Sequence, residues 1–386
     1  MLVSSISSSN RNAENCSRSI VCSIRPREDE SLMVGSTAKG DISLLKVIVV
    51  ASLRVIFPKC WLKMASISQA IGLFFTVIFL FSCSDIDGSP QQADPDFIPK
   101  NVKQTFSNVD SPKVLIDEAH NNFHTASGRY KAFQQVLVSD GHTVKPNRKS
   151  FTLNGLKNTE ILVVANALDT NRLDWTPPFK DAFQETEVQA IKQWVSDGGS
   201  LLLIADHIPF PKAAESLSKA FGFEFSNGHV DKALFRMNDG SLAKHEVTKS
   251  STELNVNIQL NAFNDISDLN PPESDFLKQV KTFGGSAFMP PENAQSILTL
   301  GARAFSRTPE IPFQIKAETP KISMDGWSQG AILEFGNGRV AVFSEAMMFT
   351  SQLYVPTGEK MGLVSRGAED NEQFLLNIMH WLSGVI

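Results

Sequence analysis

Two acidic residues and two histidines stand close together in one short stretch of the 386-residue chain. Asp117 and Glu118 are followed by His120 and His124. Imidazole groups transfer protons near neutral pH, and a neighbouring carboxylate can orient such a ring. Histidines four residues apart can also meet one metal ion when they lie on one helical turn. The stretch therefore predicts an acid–base centre or part of a metal site.

The residues between the histidines weaken the metal alternative. Asn121 follows His120 directly, where helical zinc-hydrolase motifs carry a glutamate, and Asn121-Asn122 favours a turn. A divalent metal held by His120 and His124, and completed by His207 or Glu345, remains the alternative. No metal or other cofactor is predicted otherwise.

Polar residues also follow four predicted strands. These residues are Asp117-Glu118 with His120, Asn166, Asp206-His207, and Ser344-Glu345. Ligands bind beyond the carboxyl ends of the strands in an open parallel sheet, so the four stretches predict one shared site. The residues expected to carry proton transfer are His120, His124, Glu118, Asp206 and His207. Asn166 and Glu345 are expected to contact the substrate, although Asn166 is also an ordinary helix-capping residue.

Two further side chains are candidates for holding a substrate. Ser127-Gly128-Arg129 is predicted to open a helix, where free amide groups favour an anion and Arg129 adds a guanidinium suited to a carboxylate. Trp175 lies in a long loop, 166–183, and is suited to stacking on a sugar ring. The alternatives are a surface arginine at a plain helix start and a tryptophan that packs beside Pro177-Pro178.

Alternating strands and helices must position these residues. Short apolar runs predict strands at 114–117, 143–145, 161–165 and 200–205. Helical periodicity predicts helices at 129–139, 184–197, 213–221 and 371–382. Gly336-Asn337-Gly338 predicts a hairpin between strands 331–335 and 339–344. This order indicates an α/β fold with a mainly parallel sheet flanked by helices, in which 235–330 is an irregular insertion or an antiparallel extension.

The composition is that of a globular protein that does not bind nucleic acid. Hydrophobic residues make up 42% of the chain and charged residues 20%, with a formal net charge of −5. No basic stripe with interleaved aromatic residues is found, as a nucleic-acid partner would require.

The N-terminal part predicts export rather than folding. An apolar run precedes Leu80-Phe81-Ser82-Cys83, which resembles a bacterial lipobox with Cys83 as the lipidated residue. We therefore expect a non-native or disordered extension at 1–63, with Met64 as the true start, and a lipoprotein signal peptide at 64–83. A tether at 84–111 and the folded domain at 112–386 follow. The expected location is the cell envelope, as an outer-membrane lipoprotein or in the periplasm, and plain secretion is the alternative.

Cysteine usage excludes one class of chemistry in the mature domain. The four cysteines are Cys16, Cys22, Cys60 and Cys83. No cysteine follows Cys83, so the domain has neither a disulfide nor a thiol nucleophile.

Three stretches together resemble a known group of bacterial proteins. They run from Asp117 to His124, from Gly198 to His207, and from Gly338 to Glu345, together with Asn371 to Asn377. They are similar to the glutamine-amidotransferase-like (flavodoxin-like) domains of bacterial secreted lipoproteins, which are found alongside unsaturated glucuronyl hydrolases. The resemblance implies a class I amidotransferase-like fold. Amidotransferases use a nucleophilic cysteine, which this domain lacks, so glutamine hydrolysis by that route is excluded.

The resemblance also implies the substrate class, an oligosaccharide that ends in a uronate. Our leading hypothesis is a surface-anchored carbohydrate-active lyase of the dehydratase type, which removes water from that end by acid–base elimination. A metal-dependent hydrolase that uses the same histidines is one alternative. A non-catalytic glycan-binding lipoprotein is the other.

Overall fold

Strands and helices alternate from Lys113 to Ala220 in the computed structural model, which describes residues 90–101, 103–172, 175–250 and 275–386. The predicted extension, signal peptide and lipidated Cys83 lie outside these residues. Within the described residues no helix has the length and apolar character to cross a membrane.

The first strands are β1 Gln91–Ala93, β2 Lys113–Asp117, β3 Thr143–Asn147, β4 Ile161–Ala165, β5 Ser200–Ile204, β6 Glu224–Ser226, β7 His229–Val230 and β8 Leu234–Arg236. The later strands are β9 Gln279–Lys281, β10 Ala287–Met289, β11 Gln295–Thr299, β12 Phe305–Arg307, β13 Lys321–Ser323, β14 Ser328–Phe335, β15 Gly338–Phe343, β16 Ser351–Tyr354 and β17 Glu359–Gly362. The α-helices are α1 Lys131–Ser139, α2 Leu153–Leu156, α3 Glu185–Ser196, α4 Phe210–Ala213, α5 Glu215–Ala220 and α6 Asn371–Leu382. Single 3₁₀ turns lie at Met237–Asp239, Glu246–Thr248 and Met347–Phe349.

The main sheet has a parallel half and an antiparallel half. Its order is β3-β2-β4-β5-β15-β14-β10-β6, and β11 also pairs with β14. The pairs from β3 to β15 are parallel, whereas β15 and β14 form the antiparallel hairpin predicted at Gly336-Asn337-Gly338. The α/β fold with an antiparallel extension is therefore confirmed. Within 235–330, β10 and β11 extend the main sheet through antiparallel pairs with β14, while β9 pairs with β8, and β12 with β13, in separate small sheets.

Helices cover both faces of the parallel strands because side chains of successive strand residues point to opposite faces. On one face Val163 and Leu202 pack with α1 and α6, including Phe133 and Phe374. On the other face Val164 and Leu203 pack with α3 and α5. Every residue of β4 and β5 is buried, as their unbroken apolar sequences predict.

Two predicted segments differ from the structure. The helix expected at 213–221 is two short helices, α4 and α5, with Ala214 between them. The expected tether, 84–111, is packed against the domain from Gln91 onward: β1 pairs with β16, and Phe97 and Phe106 are buried. Apolar side chains of this size gain about 1.5–3 kcal/mol each on burial, which favours docking of the segment over a free linker.

Candidate functional site

Five of the predicted site residues lie close together beyond the carboxyl ends of the parallel strands. The Asp206 amide, just after β5, donates to Asn166 Oδ1 (2.9 Å), and Asn166 Nδ2 donates to His124 Nδ1 (3.1 Å). Because His124 Nδ1 accepts, the proton of its neutral ring is on Nε2. Burial, Arg129 and His207 hold the pKa of His124 well below its usual range. We call His124, Asn166, Asp206, His207 and Glu345 the edge cluster.

Two carboxyl groups of the edge cluster share one backbone turn after β15. Asp206 Oδ2 accepts from the Ala346 amide (3.4 Å), while Glu345 accepts from the amides of Met347 (2.9 Å) and Met348 (2.8 Å). Burial and the charge of Asp206 raise the pKa of Glu345 to about 8. Glu345 therefore holds a proton at neutral pH, next to the Asp206 side chain.

Tyr130 and Gly285 enclose this carboxyl pair. The fully buried Tyr130 hydroxyl donates to the Ala346 carbonyl (3.4 Å), and burial together with Glu345 and Asp206 raises its pKa well above the usual value. Gly285 has φ +90°, and a Cβ there would lie 2.1 Å from the Ser344 carbonyl oxygen. Only glycine allows this approach of the two chains.

His207 is the half-buried member of the edge cluster, and its tautomer follows from its hydrogen bond. Its Nδ1 lies 2.8 Å from the Ile208 carbonyl oxygen, which can only accept, so Nδ1 carries the proton of the neutral ring. Nε2 then presents a lone pair, and no hydrogen bond to it forms within the described parts of the chain. The ring stacks on His229 with centroids 4.5 Å apart.

His120 belongs to a different place, which corrects the expectation that it joins the strand-edge site. Its Nδ1 contacts Asp117 Oδ2 (2.8 Å) and its Nε2 contacts Glu187 Oε1 (3.1 Å). The ring also stacks on Phe151, with centroids 4.8 Å apart, and lies tilted against Phe183 at 4.7 Å. Asp117, His120 and Glu187 form what we call the His120 centre.

Each ring nitrogen of the His120 centre has a carboxyl partner, and these contacts set the proton affinity of the ring. Burial lowers the pKa of His120, but hydrogen bonds and charges from Asp117 and Glu187 outweigh it, so the net shift is upward. Glu187 also accepts from the backbone amides of Phe151 (2.9 Å) and Gln184 (3.1 Å), and its pKa is lowered. Both ring nitrogens of His120 are thus occupied by buried carboxylates, which leaves neither for a substrate proton.

Glu118 and Arg129 are likewise engaged within the protein. Glu118 accepts from the Ala126 amide (3.0 Å) and from Arg148 Nε (3.0 Å). The Arg129 guanidinium lies 3.9 Å above the Phe123 ring and donates to the Gln91 carbonyl of β1 (3.3 Å). Helix α1 begins at Lys131 rather than at Arg129. Arg129 therefore packs on Phe123 and bonds β1, and it is not one of the first residues of the helix.

Asp169 and Arg172 form an ion pair on the long loop that carries Trp175. Arg172 Nη2 contacts both carboxylate oxygens of Asp169 (2.7 and 2.8 Å), and the same guanidinium donates to the Thr176 and Pro178 carbonyls. This arrangement presents the half-buried Trp175 ring among aromatic neighbours. These neighbours are Phe123, Phe210 and Phe313, with centroids 5.7, 5.9 and 6.0 Å away.

His120 and His124 contact different side chains, so the two rings are not arranged around one metal ion. The former lies between Asp117 and Glu187, and the latter bonds Asn166. Within ranges 90–101, 103–172, 175–250 and 275–386, no group of three His, Cys, Asp or Glu side chains is arranged to hold a metal ion. Two cavities, of about 270 and 490 Å³, lie elsewhere: the first beside Lys212 and Lys219, the second beside Trp194 and Ser200.

Sequence reasoning missed four residues that shape these centres. Glu187 carries a signal, since it is the third helical residue after Gln184 and forms the capping box with it. Tyr130 and Phe313 carry none, because a single aromatic residue in a loop or at a helix start is usual. His229, assigned no role from sequence, stacks on His207.

No family model matches the chain, and no curated protein matches it. Solved structures that resemble it include the mmIFT52 N-terminal domain, at 14% identity and a TM-score of 0.47 over 70% of this chain and 97% of that chain. A ThuA-like protein from Bacteroides uniformis is 12% identical with a TM-score of 0.38, over 74% and 95% of the two chains. Another from Parabacteroides merdae is 11% identical with a TM-score of 0.37, over 71% and 90%. At these scores the assignment of the fold rests on the sheet itself.

Proposed function

We propose that this protein is a carbohydrate-active lyase that works at the edge cluster by acid–base elimination. The observation that supports the proposal is the pairing of Asp206 with a proton-bearing Glu345 just after two neighbouring parallel strands. Paired groups whose surroundings drive their proton affinities apart are typical of enzyme acid–base sites.

In this proposal His207 is the base and Glu345 the acid. His207 Nε2 takes the proton from the carbon next to the carboxylate of a terminal uronate. The electron pair of that C–H bond forms the new double bond while the bond to the neighbouring hydroxyl breaks. Glu345 gives its proton to that hydroxyl, which leaves as water. Asp206 favours the proton-bearing state of Glu345 before the reaction, and the two catalytic groups then regain their starting protonation through solvent.

The test is incubation of the protein with oligosaccharides that end in glucuronate, galacturonate or mannuronate. The 4,5-unsaturated product absorbs in the near ultraviolet, so its appearance can be followed directly. A rise in absorbance that is lost in the His207→Phe variant supports the proposal. No product from any of the three uronates would rule it out.

Recognition of a glycan without turnover is the second candidate. It is favoured by burial, because Glu345 and Asp206 are 2% and 8% exposed while the accessible part of this edge is aromatic. Tight binding of a uronate oligosaccharide by calorimetry, with no product after long incubation, would favour this candidate over the lyase.

We also propose attachment to the outer membrane through a lipid on Cys83. The support is the lipobox-like Leu80-Phe81-Ser82-Cys83 after an apolar run. Expression of the full chain in a bacterium, followed by fractionation, tests it. The Cys83→Ala variant should leave the membrane fraction, and an unchanged distribution would contradict the anchor.

A further inference from the structure

Phe313 has two properties that folding alone does not account for. It lies between β12 and β13, its side chain is 58% exposed, and its φ is +67°. The left-handed region is unfavourable for a bulky side chain. An exposed ring also gains little from the hydrophobic effect. Residues held in such conformations concentrate at ligand sites.

The ring of Phe313 stands beside the accessible imidazole of the edge cluster. Its centroid is 4.9 Å from that of His207, with the two planes at 75°. Trp175 and His229 contact it as well, at 6.0 and 5.5 Å. Phe313 therefore extends the aromatic surface outward from the base that the proposed function uses.

The setting of this surface indicates the chemistry of its ligand. The flat faces of Phe313 and Trp175 are apolar, while the His207 Nε2 lone pair beside them accepts a hydrogen bond. Gln314 and Lys316, next on the loop, are exposed. A pyranose ring has this combination, since it carries an apolar C–H face and hydroxyl donors at its rim. An alkyl chain would bury the apolar faces but leave the nitrogen unpaired.

The geometry points to Phe313 and Trp175 as the stacking subsite that binds a pyranose ring of the substrate chain next to His207. Phe313 is then a specificity-determining residue, because it favours ligands that carry a pyranose ring next to His207. This inference rests on the proposed function for the identity of the substrate, but it makes a separate claim about binding.

Calorimetric titration with a uronate-ended tetrasaccharide tests the subsite. Phe313→Ala should weaken binding at least ten-fold, because stacking of a ring on an aromatic face is lost. Phe313→Tyr should bind within about two-fold of the unaltered protein. Phe313→Gly removes both the ring and the unfavourable φ, so it should be as stable as the unaltered protein or more so, yet bind as weakly as Phe313→Ala.

Ile315→Ala is the matched control, since Ile315 lies on the same loop and is 40% exposed; its binding should not change. Equal affinity of Phe313→Ala and the unaltered protein, or no binding of the tetrasaccharide by the latter, would overturn the subsite. Tighter binding of an alkyl detergent than of the tetrasaccharide would overturn the assignment of a sugar. Binding that depends on Phe313 without product formation would keep the subsite and reject the lyase. Product formation with a KM unaffected by Phe313→Ala would support the lyase and reject the subsite.

Discussion

The His120 centre and the edge cluster both contain histidine, aspartate and glutamate but differ in how fully the histidine nitrogens are paired. In the His120 centre one imidazole lies between two carboxylates, and each ring nitrogen has its own oxygen partner. In the edge cluster two carboxyl groups lie together, one of them protonated at neutral pH, and His207 Nε2 has no partner among the described residues.

Proximity of histidine and carboxylate therefore does not by itself mark a catalytic site. A buried charge with all its partners stabilises one conformation and resists protonation change. A group with a displaced pKa and an available lone pair can exchange protons with a ligand. The stretch 117–124 contributes to both places: His120 belongs to the His120 centre, and His124 belongs to the edge cluster.

The largest effect on the reaction rate should come from removing the proton-bearing carboxyl group of Glu345. Glu345→Gln keeps the volume of the side chain but cannot donate an acid proton, and its single amide oxygen can accept from only one of the Met347 and Met348 amides. We expect the rate of uronate elimination to fall by about 10²–10⁴-fold. Glu118→Gln is the comparison variant, because Glu118 bonds Ala126 and Arg148, and its rate should stay within about three-fold. Equal losses in both variants would contradict the assignment of the acid.

His120→Ala should affect stability rather than chemistry. Removal of the imidazole leaves Asp117 and Glu187 buried together without the positive charge between them. The free energy of unfolding should fall by about 3–5 kcal/mol, which is the usual result of breaking a buried ion pair. Urea denaturation measures the loss, and kcat of the folded fraction should remain near that of the unaltered protein. A stable variant with a greatly reduced kcat would place His120 in the reaction instead.

The pH dependence of stability should separate the two centres. The folded state raises the pKa of Glu345 from 4.5 to about 8, so the native state binds a proton that the unfolded state releases. This contribution is full below pH 4.5 and is lost as the pH rises through about 8, and its size is on the order of 5 kcal/mol. The free energy of unfolding should therefore decline less over this window in Glu345→Gln.

His120 has the same sign over a different range. Its raised pKa adds stability that is full below pH 6.5 and is lost as the pH rises through the higher folded value. The lowered pKa of Glu187 adds stability above pH 4.5 that is lost as the pH falls. Urea titrations of His120→Ala from pH 4 to 9 should lack the His120 change, while the Glu187 change should persist in part because the Gln184 and Phe151 amides still lower the pKa of Glu187. Curves for the two variants that superimpose would show that the centres do not titrate separately.

The smallest effect is expected at the exposed partner of Glu118. Arg148 is 72% exposed in its side chain and pairs with Glu118 at 3.0 Å. An ion pair with one solvated member contributes about 0–1 kcal/mol. Arg148→Ala should lower the free energy of unfolding by no more than that. A loss comparable to that of His120→Ala would mean that Glu118 depends on Arg148 in the way that buried charges depend on their partners.

Local sequence patterns were sufficient for most of the elements that carry the site. The unbroken apolar run 161–165 predicted β4 with its observed bounds, and the apolar stripe in 371–382 predicted α6. The Gly336-Asn337-Gly338 turn predicted the β14–β15 hairpin. These features depend on neighbours a few residues apart, where side-chain period and turn chemistry decide the backbone.

The α/β order, the polar residues at the strand ends and the lack of a cysteine nucleophile after Cys83 can thus be read directly from the sequence. Only the tertiary structure decided the use of each histidine. Glu187 lies 67 residues beyond His120 and reaches it because α3 packs against the loop after β2. Asp206 and Glu345 are adjacent because β5 and β15 pair in parallel across a long separation in the chain. Burial and charge at such long-range contacts set proton affinity, and no local pattern of residues encodes them.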